Sequence, residues 1–202
     1  MMKTIDTIAE LEALYGRPGE ASLLKVTDFL TPAYRAWIEA SRFCVLTTVG
    51  PGGTDGSPRG DEDPVVSILD DRTLALPDWR GNNRMDSLRN IVEDGRVSLL
   101  FMVPGKNNVI RVNGDAVLAV DDEILARFER AGQKRPRSVI IIRIAEVYSQ
   151  CARALMRSAL WMGDFEGVLP SVGDMLAEIS SGKFDGKTYD VEWLPHAKKT
   201  LW

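Results

Sequence analysis

Residues 73–91 read TLALPDWRGNNRMDSLRNI. This stretch opens with an apolar run, Thr73 to Leu76, which is typical of a short strand and which ends at Pro77. A polar turn continues as far as Gly81, and the pattern after it predicts a helix that begins at Asn82 or Asn83. The stretch therefore predicts a strand, a turn and a helix in immediate succession.

Arginines are concentrated around this turn, at positions Arg72, Arg80, Arg84 and Arg89. If Asn83 is the N-cap, its side-chain oxygen accepts from the amide of Asp86, which is the spacing of a capping box. Arg84 would then lie in the first turn, where a cation opposes the helix dipole at a cost of about 0.3–1 kcal/mol. A bound phosphate would reverse that cost, because free amides and a guanidinium would share one anion. The alternative is a solvated Arg84 beside an ordinary cap.

Composition restricts the function. The chain has 202 residues and a net charge of −4, which predicts one compact domain and argues against a nucleic-acid partner, since such proteins present a basic face. The two cysteines, Cys44 and Cys151, are far apart and match no disulfide or zinc pattern, so we expect a cytoplasmic protein. We find no signal peptide and no apolar run long enough to span a membrane. His196 is the one histidine, which excludes a histidine-rich metal site.

The order of predicted elements indicates an antiparallel barrel. Helical patterns occupy the first 42 residues, and Thr31 and Pro32 form a typical helix start. About six strands follow, joined mostly by turns rather than by helices, which favours a barrel over a sheet of alternating strands and helices. The run from Val97 to Val103 is apolar at nearly every position, as expected of a strand covered on both faces. Helices are predicted again for Ala152 to Leu160 and Val172 to Ser180.

Residues 51–61, PGGTDGSPRGD, contain neither a dinucleotide fingerprint nor a phosphate-binding loop motif. The segment predicts a turn followed by a strand that carries Arg59. In isolation, Arg59 is explained as a surface charge or as an ion-pair partner of Asp61 or Asp63.

Residues 151–161, CARALMRSALW, predict a helix in which Arg153 and Arg157 share one face. Arg157 and Trp161 are also one turn apart, a spacing that allows a cation–π pair. The alternative is a partly buried helix with a solvated arginine stripe. The sequence shows no nucleophile beside a histidine and no evident pair of catalytic carboxylates, so any enzymatic chemistry would come from a cofactor.

Taken in chain order, seven segments resemble the FMN-binding split barrels related to pyridoxamine 5'-phosphate oxidase. They are FCVLTTV, GSPRGD, LDDRTLALPD, GNNRMDSLRNI, VSLLFMVPG, IRVNGDA and CARALMRSALW, and they extend from Phe43 to Trp161. The resemblance implies a six-stranded antiparallel split barrel, formed by residues 43–150, between N-terminal helices (1–42) and C-terminal helices with a tail (151–202). It points to an uncharacterised branch of the family rather than to the oxidase itself.

The resemblance also implies FMN as the cofactor and a homodimer with two flavin sites at the interface. The implied cofactor-binding residues are Arg59, Leu76, Pro77, Asp78, Asn82, Asn83, Arg84, Ser87, Arg157 and Trp161. Arg59 and the helix start at residues 82–84 would hold the phosphate, with Ser87 adding a hydroxyl. Leu76, Pro77 and Asp78 would run along the flavin ring, and Arg157 and Trp161 would reach it from the partner subunit.

These inferences favour an FMN-dependent oxidoreductase that acts on a small organic substrate. A non-enzymatic FMN-binding protein that senses redox state or stores flavin is the alternative. The same barrel with haem or deazaflavin is a third hypothesis, and for haem the position of His196 outside the barrel is unfavourable. Fold alone does not decide among these functions.

Overall fold

The computed structural model describes residues 2–81, 83–132, 134–163 and 169–201. Its helices are α1 (Ile8–Tyr15), α2 (Glu20–Leu24), α3 (Pro32–Glu39), α4 (Asp86–Glu93), α5 (Asp122–Ala126), α6 (Arg153–Ser158), α7 (Val172–Ile179) and α8 (Gly186–Lys199). Its strands are β1 (Phe43–Gly50), β2 (Gly53–Gly60), β3 (Ser67–Ile68), β4 (Thr73–Pro77), β5 (Arg96–Met102), β6 (Val109–Ala119) and β7 (Val139–Gln150).

The strands form one antiparallel sheet with the order β2-β1-β5-β6-β7-β4-β3. This sheet corrects the expected six-stranded barrel, because it has seven strands and its outer strands, β2 and β3, are not paired with each other. The extra strand is β3, a two-residue strand paired only with β4. The sheet is nevertheless strongly curled, because Arg59 of β2, at one edge, contacts Asp78, which follows β4 near the opposite edge. The antiparallel pairing and the flanking helices agree with what the sequence predicted.

Alternating residues of the central strands build the core. In β5, Val97, Leu99 and Phe101 are buried, whereas Leu100 and Met102 on the other face are only partly buried. Helix α3 closes one side of the core with Ile38, and its predicted start is confirmed: the side chain of Thr31 accepts from the amide of Tyr34, with Pro32 following. Both faces of β5 were predicted to be covered, but this chain alone covers only one completely.

The start of α4 differs from the prediction. The helix begins at Asp86, and its N-cap is Met85, which makes no side-chain capping bond. Asn83 and Met85 both have left-handed backbone angles, with φ of 59° and 61°, and a left-handed residue cannot continue a right-handed helix. The predicted capping box between Asn83 and Asp86 is therefore wrong, and Arg84 lies before the helix rather than in its first turn.

Strands β6 and β7 contain a register shift between Asn113 and Gly114. A Cβ at Gly114 would collide with the backbone of Arg143, which explains why glycine occupies this position. Because Asn113 pairs with Glu146 and Gly114 with Ile144, the unpaired residue is Ala145 of β7. The alternation of β6 continues across the shift, since Ile110, Val112 and Ala116 are all buried.

The C-terminal helices were only partly predicted. Helix α7 matches its pattern, but the 14-residue helix α8 occupies a segment that was expected to be a tail. It contains Pro195, a residue that cannot donate the usual helical hydrogen bond. Gly173 of α7 and Gly186 of α8 pack directly against each other. The two helices leave large apolar side chains exposed: Val172, Ile179, Val191 and Trp193.

Among the described residues, no helix combines the length and the apolar character needed to cross a membrane.

Candidate functional site

A cleft of about 430 Å³ lies between the end of β2 and the loop that joins β4 to α4. Its volume falls within the range of about 300–1,000 Å³ that is usual for small-molecule sites. The cleft is lined by Ser57, Pro58, Arg59, Gly60, Val65, Leu76, Pro77, Asp78, Trp79, Arg80, Gly81, Asn83, Met85 and Leu201. The fold therefore brings together five of the predicted site residues, namely Arg59, Leu76, Pro77, Asp78 and Asn83, from segments distant in sequence.

Arg59 is the main cation of this cleft. Its Nη1 donates to Oδ1 of Asp78 over 2.7 Å, and both side chains are about four-fifths buried, with exposures of 18% and 19%. Its Nε is buried and has no hydrogen-bond partner among the described residues. A guanidinium carries five N–H donors, so pairing with Asp78 leaves donors for an anion in the cleft. Arg59 is therefore paired with Asp78 and not with Asp61 or Asp63, the two partners that the sequence suggested.

The floor of the cleft is apolar. Leu76 is fully buried at the end of β4, and Val65 is buried beside it. Pro77 ends the strand and is also buried, so this wall presents carbon rather than backbone donors. A planar ring system lying along these residues would exclude water, and the charged groups would remain at the rim.

The rim carries two strained residues. Asn83 and Met85 line the cleft, and both have positive φ angles, which asparagine tolerates more readily than methionine. Backbone strain of this kind costs about 1–3 kcal/mol and is concentrated at functional sites. Arg84 between them donates from Nε to Asp86 over 2.8 Å, with its side chain 75% exposed. Asn82, the other predicted contact here, lies outside the described residues.

Ser87 holds α4 against the sheet. It is buried, and its hydroxyl donates to Oδ2 of Asp55 in β2 over 2.5 Å. On the same helix, Asn90 donates to Oγ1 of Thr48 in β1 over 3.0 Å. The hydroxyl hydrogen of Ser87 is thus committed to Asp55, and its contribution to phosphate binding stays a prediction.

A cluster that sequence reasoning missed fixes the loop after β4. Trp79 Nε1 donates to Oδ2 of Asp61 over 2.8 Å, and Arg130 Nη2 donates to Oδ1 of the same carboxylate over 2.8 Å. The Arg130 guanidinium lies 5.1 Å from the centre of the Trp79 ring, within the range of a cation–π contact. No sequence motif joins these residues, because 69 positions separate Asp61 from Arg130.

We expect Asp61→Ala to lower the free energy of unfolding by about 2–4 kcal/mol, because it leaves Arg130 and the Trp79 N–H without their shared acceptor. The Asp61 side chain is only 2% exposed. Urea denaturation followed by tryptophan fluorescence measures the change. Asp63→Ala is the matched control, since Asp63 contacts the same arginine but its side chain is 70% exposed, and we expect a loss below about 0.5 kcal/mol. Equal losses for both variants would contradict a structural role for Asp61.

Arg157 and Trp161 do not line the cleft of their own chain. Trp161 follows α6, and its Nε1 donates to the carbonyl oxygen of Lys106 over 2.8 Å, which ties this segment to the loop between β5 and β6. Arg157 is exposed on α6. Their predicted contact with a flavin in the partner subunit stays a prediction.

The described part of the chain gives little support for a cysteine nucleophile or for a metal site. Cys44 lies beside Arg59 across the β1–β2 pair, and burial raises the pKa of its thiol to about 12. It therefore stays protonated at neutral pH and is a poor nucleophile. Among the described residues, no group of His, Cys, Asp and Glu side chains is arranged to hold a metal ion.

The comparisons with known proteins agree with this fold. A sequence profile described as pyridoxamine 5'-phosphate oxidase matches residues 30–151, more than half of the chain. The chain therefore belongs to the pyridoxamine 5'-phosphate oxidase family, as the sequence resemblance predicted. The matched region contains β1 to β7 and the whole β4–α4 loop. A search of curated proteins found no match.

Solved structures resemble the chain at low identity. HupZ of Group A Streptococcus is 17% identical with a TM-score of 0.50, and the alignment covers 59% of this chain and 93% of that one. An FMN-binding protein from Syntrophomonas wolfei is 14% identical with a TM-score of 0.44, over 58% of this chain and 88% of that one. General Stress Protein 26 from Bacillus anthracis is 19% identical with a TM-score of 0.41, over 57% and 88%. The similarity to HupZ supports the shared fold alone.

Proposed function

We propose that the protein binds FMN in the cleft between β2 and the β4–α4 loop and that it is an FMN-dependent oxidoreductase acting on a small organic substrate. The observation that carries this proposal is the cleft itself, in which a buried guanidinium with free donors stands beside an apolar wall. FMN needs both, since its phosphate is an anion and its ring is planar and largely apolar. Membership of the pyridoxamine 5'-phosphate oxidase family supports the same cofactor.

The residues of the cleft would divide the binding between them. Arg59 and Asn83 would donate to the phosphate, with Arg84 adding positive charge from the rim. Leu76 and Pro77 would cover the ring and exclude water, which strengthens polar contacts inside the site. Asp78 orients Arg59 through their ion pair, so it would act on the phosphate indirectly. Bound FMN would supply the electron and hydride transfer that none of these side chains can perform.

We propose further that the working unit is a homodimer. The outer face of β5 is incompletely covered by its own chain, and α7 and α8 expose large apolar side chains. A second subunit packed on these surfaces would cover their apolar side chains.

Anaerobic reduction tests the enzymatic part of the proposal. We expect NADH or NADPH to bleach the absorption of the FMN-loaded protein faster than that of free FMN, and a small organic acceptor to restore it without oxygen. Dithionite is the control, because it reduces any accessible flavin. Bleaching by dithionite alone, with no turnover, would contradict an oxidoreductase and favour the non-enzymatic flavin-binding alternative.

Arg84→Glu should weaken FMN binding roughly tenfold at low ionic strength, since it reverses one exposed charge near the phosphate. The effect should shrink at high salt because solvent ions screen an exposed charge. Equilibrium titration followed by flavin fluorescence measures both. Arg89→Glu makes the same charge change on an exposed residue of α4, and we expect less than a twofold effect. If the two variants bind FMN equally, Arg84 does not contribute to the phosphate site.

A further inference from the structure

A second cavity of about 270 Å³ adjoins the proposed flavin cleft. The two cavities share the wall formed by Asp78, Trp79, Arg80, Gly81 and Asn83. The opposite wall of the second cavity belongs to the segment before β7 and consists of Lys134, Arg135 and Arg137. A ligand in this cavity would therefore lie beside a flavin bound in the first.

Four cationic side chains and one carboxylate line this cavity. The carboxylate, Asp78, is paired with Arg59. Of the cations, Arg135 has acidic partners, with Nη2 2.7 Å from Glu129 and Nη1 3.9 Å from Asp122. Among the described residues, Arg80, Lys134 and Arg137 form no ion pair. Three such cations around one cavity repel one another. A multiply charged anion in the cavity would attract all three and offset their mutual repulsion.

We propose that this cavity binds the diphosphate group of a second ligand that works beside the FMN, an assignment that rests on the proposed function for its flavin neighbour. A phosphate monoester carries about −1.5 to −2 charges at neutral pH, fewer than the three cations without acidic partners. A diphosphate has more charge and more oxygen atoms to distribute among them, and arginine forms paired hydrogen bonds with phosphate oxygens. Two kinds of molecule carry this group: a pyridine dinucleotide that donates electrons, and a diphosphate ester that is the substrate.

Inorganic pyrophosphate is the probe for the site. We expect Lys134→Ala/Arg137→Ala to bind pyrophosphate at least tenfold more weakly than the native protein, measured by titration calorimetry at fixed ionic strength. Arg17→Ala/Lys183→Ala is the matched control, because it removes the same charge from exposed positions outside both cavities and should change the affinity less than twofold. Arg84→Ala separates the two cavities, since it should weaken FMN but leave pyrophosphate binding nearly unchanged. Equal pyrophosphate affinities for the native protein and Lys134→Ala/Arg137→Ala would overturn the proposal.

The two proposals can fail separately. FMN binding is measured in the same proteins, and we expect Lys134→Ala/Arg137→Ala to keep it within about twofold. Absence of FMN binding, with pyrophosphate binding dependent on Lys134 and Arg137, would overturn the flavin function and retain the anion site. Competition between pyrophosphate and FMN for one site would overturn the second site instead.

Anaerobic flavin reduction identifies the source of the diphosphate. If it is a pyridine dinucleotide, Lys134→Ala/Arg137→Ala should be reduced about tenfold more slowly than native protein by NADH at low concentration. N-benzyl-1,4-dihydronicotinamide has no phosphate and should reduce both proteins at the same rate. An unchanged NADH rate, together with lost pyrophosphate binding, would assign the cavity to a diphosphate ester substrate. A parallel loss with the phosphate-free donor would show general damage to the flavin site and would overturn the assignment.

Discussion

FMN is expected to bind Arg59→Ala about a hundredfold more weakly than the native protein. The substitution has two consequences. It removes a charged donor from the proposed phosphate site, and it leaves the Asp78 carboxylate unpaired in the same cleft. Because Asp78 is only 19% exposed, solvent screens its charge poorly, and the carboxylate would repel the phosphate.

The double variant Arg59→Ala/Asp78→Asn separates these two consequences. With the carboxylate neutralised, the repulsion disappears, and we expect the affinity to recover to within roughly tenfold of the native value. Equilibrium titration of the apoprotein with FMN gives all the affinities, and far-ultraviolet circular dichroism checks that each variant is folded. A native affinity for Arg59→Ala would show that the Arg59–Asp78 ion pair is purely structural.

The second large effect concerns the proposed homodimer. Arg59→Glu subunits and Arg157→Glu subunits should each bind little FMN alone, and co-assembled mixed dimers should regain about one good site each. In a mixed dimer, one site would combine both damaged residues, whereas the other would combine the native Arg59 of one subunit with the native Arg157 of its partner. Flavin content per dimer, measured after purification with two affinity tags, gives the result.

Homodimers of each variant are the controls, since they should remain nearly flavin-free. Two outcomes would contradict a shared site. In the first, the native protein is a monomer in solution by analytical ultracentrifugation. In the second, mixed dimers form but bind no more flavin than the single variants, as expected if Arg59 and Arg157 serve the same site within one chain.

Local patterns in the sequence predicted the elements that depend on local interactions. Helix α3 begins where Thr31 and Pro32 indicate, and β4 occupies the apolar run that starts at Thr73 and ends at Pro77. The start of α4 was predicted too early because the cap spacing between Asn83 and Asp86 is present, but left-handed backbone angles at Asn83 and Met85 prevent the helix from using it. The first residue of α4 could not be predicted from local sequence, because tertiary packing decides whether strained backbone angles are tolerated.

The contacts that shape the cleft could not be read from the sequence, because they join distant segments. Arg59 pairs with Asp78 across the curled sheet, whereas the neighbouring Asp61 and Asp63 were the partners that proximity suggested. Asp61 instead binds Trp79 and Arg130. The second cavity was missed for the same reason: Arg80 belongs to the recognised stretch, but its companions, Lys134 to Arg137, lie in a loop before β7 that matches no motif.

The most direct test of the account is the affinity of the apoprotein for FMN compared with riboflavin, which has the same ring system but no phosphate. If Arg59 and the rim residues form a phosphate site, FMN should bind roughly a hundredfold more tightly than riboflavin, as expected for about two charged hydrogen bonds. Arg59→Ala should lose most of that preference. Equal binding of the two flavins, or binding of neither, would contradict the assignment of this cleft to FMN.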